Sequence, residues 1–261
     1  MTWLSSVVPL LRMGENISVI LLGIVWARKI KFSPAFQPFV YYLAGDAFLY
    51  ILGAFARKVL HNNIFIFHLS TFSDVVWLSI VFIHLASNKA KPWLRGSLLV
   101  FVAVAFASAF WLDGLLLNIN ITSRFFGNIF LCFMALRQLS QMFHNNYFIH
   151  PFKTPEFVFS IAILIYYSCS LLVIVGQDLL RYEWFRNLNP ALTEAELGRF
   201  VLLPYPLLRA IQFGLLLHLI TLFPMGVTPR HALPRWLRFR LGWRPPTKNW
   251  RYRVLPPHLV G

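Results

Sequence analysis

The sequence predicts an all-α polytopic membrane protein, a bundle of seven transmembrane helices with its N-terminus outside and its C-terminus in the cytoplasm. Three observations carry that expectation. Hydrophobic residues make up 58% of the chain and aromatic residues 17%, and the mean hydropathy is +0.63, well outside the usage of soluble globular domains. The apolar residues gather into seven long runs, at about 5–28, 35–56, 64–86, 97–117, 122–143, 156–178 and 204–224, each near the length that crosses a hydrocarbon core of about 30 Å. Lysine and arginine are divided unequally between the two sets of connections. Residues 1–225 then form the membrane domain and 226–261 a basic tail rich in Trp, Arg and Pro, with no separate soluble domain.

Orientation follows from that inequality. One set of connections carries Arg28, Lys29, Lys31, Lys89, Lys91, Arg95 and Lys153, and it leads into the tail. The other carries Arg57, Lys58, Arg124, Arg181, Arg186 and Arg199, the last three offset by Asp178, Glu183, Glu194 and Glu196. The positive-inside rule assigns the first set to the cytoplasm.

The first run is expected to remain as a span and not to act as a cleaved signal peptide. It is long, includes Arg12 and Glu15, and lacks both a basic start and a small-residue cleavage site. Arg12 and Glu15 share a helical face and can pair. The second run opens at Ser33-Pro34, a capping serine followed by proline, and holds Asp46 near its midpoint beside Gly45, where a neighbouring helix can approach. The third run contains Asp74 at its centre, with His68 six residues earlier and so on a different face. An ionised carboxylate at that depth costs several kcal/mol unless compensated.

The fourth run is uniformly apolar and reads as lipid-facing scaffold. Before the fifth, Asn120-Ile121-Thr122 matches a glycosylation acceptor, a motif frequent by chance. The fifth run brings Asn128, Arg137, Gln138 and Gln141. The sixth opens with Thr154-Pro155-Glu156, a helix start with an acid in the first turn, and its Tyr166-Tyr167-Ser168-Cys169-Ser170 segment is the most polar uncharged patch of the chain. Cys132 and Cys169 are expected to be inert packing thiols. The connection at about 181–203 includes a capping-box pattern, Thr193 to Glu196. The seventh run carries Arg209, Gln212 and His218.

In the tail, Trp236, Trp243 and Trp250 alternate with Arg235, Arg238, Arg240, Arg244 and Arg251. Eight basic residues and no acid follow Met225, out of a net charge of +15 for the chain. Beside a membrane this composition suits anionic lipid of the inner leaflet, or a docking partner, better than nucleic acid. Pro245-Pro246 and Pro256-Pro257 prevent one continuous helix.

By depth, Glu15, Asp46 and Asp74 lie near the midpoints of three successive spans. A sequentially wound bundle then places a polar cavity between spans 1, 2, 3 and 7, with Arg12, Glu15, Asp46, His68, Asp74, Gln212 and His218 as candidate ligand contacts. The competing expectation is that the carboxylates pair and merely fix helix register. No cofactor is expected. Every lysine lies at or beyond a span boundary, so a retinal Schiff base has no anchor, and neither a metal set nor a histidine pair for haem is evident. No G-x-S-x-G, H-E-x-x-H or C-x-x-C motif occurs.

The run Asn62-Asn63, His68 and the acid at Asp74 resembles a pattern in uncharacterised seven-helix inner-membrane proteins of Bacteroidota. Residues 124–143 and 157–172 are also similar. The later acid is usually glutamate in that group, so Asp74 departs from it, and the basic tail is not covered. The resemblance implies a bacterial inner-membrane location and a partner such as a sensor histidine kinase. Gly45-Asp46 is similar to a Gly-Asp element of lysoplasmalogenase-type membrane hydrolases, which have eight helices and a further acid that span 7 lacks.

The function expected from these features is a sensor or receptor-like membrane protein that binds a small or lipid-like ligand and signals to a partner, with the question of catalysis left open. The alternative is an intramembrane hydrolase of lipid substrates with Asp46 and Asp74 as its acid/base pair.

Overall fold

The computed structural model describes residues 17–112, 114–116, 120–144, 150–181 and 204–225. The chain divides into two compact units, Met1–Gly226 and Val227–Gly261, and every described residue belongs to the first. Among the described residues there are seven α-helices: α1 (Ile17–Ala27), α2 (Gln37–Val59), α3 (Ile64–Leu85), α4 (Lys91–Ala107), α5 (Ile121–His144), α6 (Pro155–Arg181) and α7 (Pro204–Thr221). Among the described residues there is no strand, only an isolated bridge between Ile30 and Met225.

Among the described residues four helical segments are long and apolar enough to cross a membrane: Pro34–Val59, Ile64–Leu85, Lys91–Leu112 and Pro155–Gly176. The first is α2 with the 3-10 turn before it, and the third is α4 extended by a π-helical turn, Ser108–Leu112. α5 has the length, but Arg124, Asn128, Arg137, Gln138 and Gln141 lower its apolar content. Its polarity points inward: Asn128 and Gln138 are buried, while Phe126, Ile129, Phe133 and Leu136 form an exposed stripe at spacings of three and four.

Helix boundaries follow local chemistry. Ser33 makes no side-chain cap; its carbonyl instead accepts the Phe36 N–H at 2.9 Å, closing a 3-10 turn at Pro34–Phe36 before α2 begins. Just before α3, Asn62 Oδ1 accepts the Ile64 N–H at 2.9 Å in an Asx turn, while the N-cap residue Asn63 makes no side-chain cap. α6 starts at Pro155, and the Thr154 carbonyl accepts from Phe157 and Val158. α1 ends in a Schellman motif: Ile30 N–H donates to Val25 O and Lys29 N–H to Trp26 O, both at 3.1 Å. Lys29 therefore takes a left-handed φ of 47°, which a Cβ disfavours. Lys29→Gly is expected to stabilise the protein by about 1 kcal/mol, read as a raised midpoint of thermal unfolding in detergent.

Packing closes a ring. α1 lies against α2, α2 against α3, α3 against α5, α5 against α6, α6 against α7, and α7 returns to α1. Lys31 N–H donates to Pro224 O at 3.0 Å, joining the ends of α1 and α7. α4 contacts α3 and α5. Near Asp74, α3 is gripped from both sides by glycines. A Cβ on Gly45 of α2 would come to 2.9 Å from Ser73 Oγ, and one on Gly127 of α5 to 2.7 Å from Val75 Cγ2.

The two halves of the bundle are filled differently. At the end where α1, α3 and α7 finish and α2 and α6 begin, aromatic rings interlock: Phe159 meets Phe36, Phe39 and Phe82 with centroids 5.0–6.0 Å apart, and Phe223 meets Phe32 and Phe36. Edge-on and tilted contacts of this kind favour a dry, well-packed core. The opposite half is polar.

Candidate functional site

A cavity of about 160 Å³ opens in the polar half, between α3, α5, α6 and α7. α3 contributes Phe67, Ser70, Thr71, Asp74 and Val75; Asn120, Arg124 and Asn128 come from the start of α5. Tyr166, Tyr167 and Ser170 project from α6 and Arg209 from α7. The spacing explains the convergence, since residues 120, 124 and 128 and residues 70, 71 and 74 each fall within one helical face.

Asn120 fixes one wall. It is fully buried, and its Nδ2 donates both to Phe67 O at 2.9 Å and to Thr71 Oγ1 at 2.7 Å. Those bonds set the orientation of the amide, leaving Oδ1 on the other side. Because Asn120 is buried and committed to α3, the sequon it opens is not presented at the surface. Asn62 supports the same junction, its Nδ2 donating to Leu116 O at 3.1 Å. Arg209 is positioned by its neighbours: its guanidinium carbon lies 4.6 Å from the Tyr166 ring centroid, and Nη1 donates to Gln212 Oε1 at 3.4 Å. Arg209 and Arg124 are both within electrostatic reach of Asp74, as is Asp46.

Four buried atoms of the cavity lining have no hydrogen-bond partner among the described residues: Asp74 Oδ1, Asn120 Oδ1, Asn128 Nδ2 and Tyr167 OH. Each such group costs about 1–3 kcal/mol if left unmet, and native interiors leave few of them. All four belong to residues of the lining, and each atom is itself buried.

The candidates expected from the sequence fall in different places. Asp74 lines the cavity. Asp46 faces α1, where its Oδ2 accepts a hydrogen bond from Ser18 Oγ, and it is not part of the lining. His68 is buried on α3 outside the lining. Gln212 is buried beside Arg209, with Nε2 unpartnered among the described residues. His218 lies at the aromatic end, exposed, and its Nε2–H donates to Phe152 O at 2.8 Å. Arg12 and Glu15 lie outside the described residues, as do tail residues Arg235, Trp236, Arg238, Arg240, Trp243, Arg244, Trp250 and Arg251.

The cavity adjoins α5 and α6, not α1 and α2, because α3 packs directly on α5. Sequential winding alone would have interposed α4. Arg124, Asn128, Tyr167 and Asn120 are the residues that depth ranking passed over; the four-residue spacing of 120, 124 and 128 was the available signal. Cys132 and Cys169 are free thiols. Among the described residues no group of three or more His, Cys, Asp or Glu is placed to hold a metal ion.

No family model, curated protein or solved structure matches the chain.

Proposed function

We propose that this protein is a sensor or receptor-like membrane protein whose ligand, a small polar molecule, occupies the cavity between α3, α5, α6 and α7. The observation that carries the proposal is a cavity of about 160 Å³ inside an apolar bundle, lined by the charged and polar side chains Asp74, Arg124, Arg209, Asn120, Asn128 and Tyr167. The cavity is smaller than the roughly 300–1,000 Å³ typical of drug-sized ligands, which favours a molecule of headgroup or amino-acid size.

Membrane insertion as a seven-helix bundle is part of the same proposal. It is supported by the inward-facing polarity of α5 and by exposed apolar side chains such as Ile51, Phe55, Leu99, Val100, Phe110 and Trp111 on α2, α4 and the π-turn. Soluble monomers rarely leave such surfaces bare. A cytoplasmic C-terminus follows from the distribution of lysine and arginine, and a bacterial inner membrane from the resemblance above. The tail would then meet anionic lipid or a membrane partner such as a sensor kinase.

Native mass spectrometry of the protein released from lipid nanodiscs tests the ligand. The expected result is a discrete small-mass adduct on the native protein that is absent from Asn128→Leu. An adduct retained equally by both proteins, or none on either, contradicts the proposal.

A further inference from the structure

The ionic side chains of the lining are unevenly matched. Among the described residues, Arg124 of α5 and Arg209 of α7 line the cavity together with one acid, Asp74 of α3. Both guanidinium groups lie within electrostatic reach of the Asp74 carboxylate, so the charged ends of residues from three helices gather in one place. One carboxylate balances one guanidinium, and the described lining keeps a surplus positive charge. Inside an apolar bundle such a surplus is costly unless an anion meets it. Accessibility follows the same side chains. Arg124 and Arg209 are partly exposed, whereas Asn128 and Tyr167 are buried, as is Asp74 Oδ1.

We infer that the cavity binds a small oxyanion, a carboxylate or a phosphate, through Arg124 and Arg209. This inference rests on the ligand-binding function proposed above and names the chemical class of that ligand. Neither guanidinium has to be free of protein contacts. Arg209 lies over the Tyr166 ring, 4.6 Å from its centroid, and donates through Nη1 to Gln212 Oε1. A guanidinium carries five N–H donors in a planar fork that fits the edge of a carboxylate or phosphate, so such contacts leave others to give. They also fix where the charge of Arg209 stands before a ligand arrives. Arg124 belongs to the first turn of α5, where N-terminal peptide groups add partial positive charge. A cation entering this space meets two guanidinium groups against one described carboxylate, and a neutral solute leaves the surplus unmet.

A soluble anion and the phosphate of an anionic lipid share this chemistry, and two measurements separate them. The full-length protein in phosphatidylcholine nanodiscs is titrated calorimetrically, at constant ionic strength, with inorganic phosphate, acetate, ethylammonium chloride and glycerol. Thermal unfolding of the native protein and of Arg209→Gln is measured in nanodiscs with and without phosphatidylglycerol. Phosphate or acetate binding about tenfold or more tighter than ethylammonium or glycerol supports the inference with a soluble source. A midpoint raised by phosphatidylglycerol in the native protein and less in Arg209→Gln supports it with a lipid source. An equal rise in both proteins comes from contacts elsewhere, the basic tail included, and counts against the lipid source.

Arg209→Gln is expected to weaken the preferred anion about tenfold or more. Arg209→Lys, which keeps the charge but not the fork and so disturbs the fold least, is expected to weaken it severalfold. Asp74→Asn is expected to act in the opposite direction and tighten the anion severalfold, because it removes a negative charge beside it. Opposite signs of this kind do not arise from lost packing. Tighter binding of ethylammonium, an anion affinity that neither Arg209 variant changes, or an Asp74→Asn variant that weakens the anion as Arg209→Gln does, overturns the oxyanion and leaves a ligand cavity standing. So does the absence of binding in every arm while native mass spectrometry still finds the cavity adduct. Absence of both binding and adduct overturns the ligand site as well.

Discussion

Gly127→Ala is expected to destabilise the protein by about 1–3 kcal/mol, the usual cost of forcing an extra carbon into a packed core. The new Cβ would stand 2.7 Å from Val75 Cγ2 and 3.1 Å from Phe101 Cε2. Valine has little freedom to rotate away, and Phe101 is itself buried, so α5 must retreat from both α3 and α4. Gly45→Ala crowds the Ser73 hydroxyl, which has other rotamers, and reaches Trp77 Nε1 only at an ordinary 3.9 Å, so its cost is expected to be smaller. The pair is separated by Val75→Ala, which vacates the space the new methyl needs and is expected to recover part of the Gly127→Ala loss. Thermal unfolding of the single and double variants in one detergent gives the coupling directly. An additive double variant would mean that Gly127 does not set the distance between α3 and α5.

Asn120→Ala should produce a loss of similar size by a different route. The amide makes two interhelical hydrogen bonds, and removing it leaves Phe67 O and Thr71 Oγ1 without that donor in a buried site. Bonds between membrane helices are each worth roughly 0.6–1.7 kcal/mol, and orphaned acceptors add to that, so about 2 kcal/mol in total is expected. Asn120→Asp should be at least as harmful, because a carboxylate cannot donate to the Phe67 carbonyl. Thr71→Val removes one bond only and should cost about half as much. If Asn120→Ala proves neutral by thermal unfolding, the junction between α5 and α3 is not held by this residue.

These two sites also mark what was legible in the sequence and what was not. The position of α3 was plain, because an apolar run opened by Asn62-Asn63 and closed near Ala86 has few alternatives; the helix runs Ile64–Leu85. Asp74 stood out as an acid at the centre of that run. The start of α6 at Pro155 was equally readable from Thr154-Pro155-Glu156. The order of packing was not readable. Nothing in a uniformly apolar fourth span says that α3 and α5 will meet directly, since that depends on small residues at the contact. Gly127 lies in an unremarkable Phe-Gly-Asn sequence, and only its neighbours across the interface give it meaning.

Charge position misled for a related reason. Arg124 sits at the edge of its span and reads as an interfacial residue, yet the first turn of α5 tilts it toward the cavity with Asn120 and Asn128. Asp46, by contrast, sits at midspan on α2 and is met by Ser18 of α1. Depth along a span locates a charge along the bundle axis. It does not say which neighbour the charge faces, and that angular coordinate separates Asp46 from the cavity and joins Arg124 to it.

The measurement that bears most directly on the cavity is a high-resolution density map of the protein in lipid nanodiscs. The expected result is ordered non-protein, non-water density between α3, α5, α6 and α7, in the cavity lined by Asp74, Asn128, Tyr167 and Arg209. Helices closed on one another, with those side chains bonded among themselves or to water alone, would contradict a ligand site and leave the polar groups as structural ties.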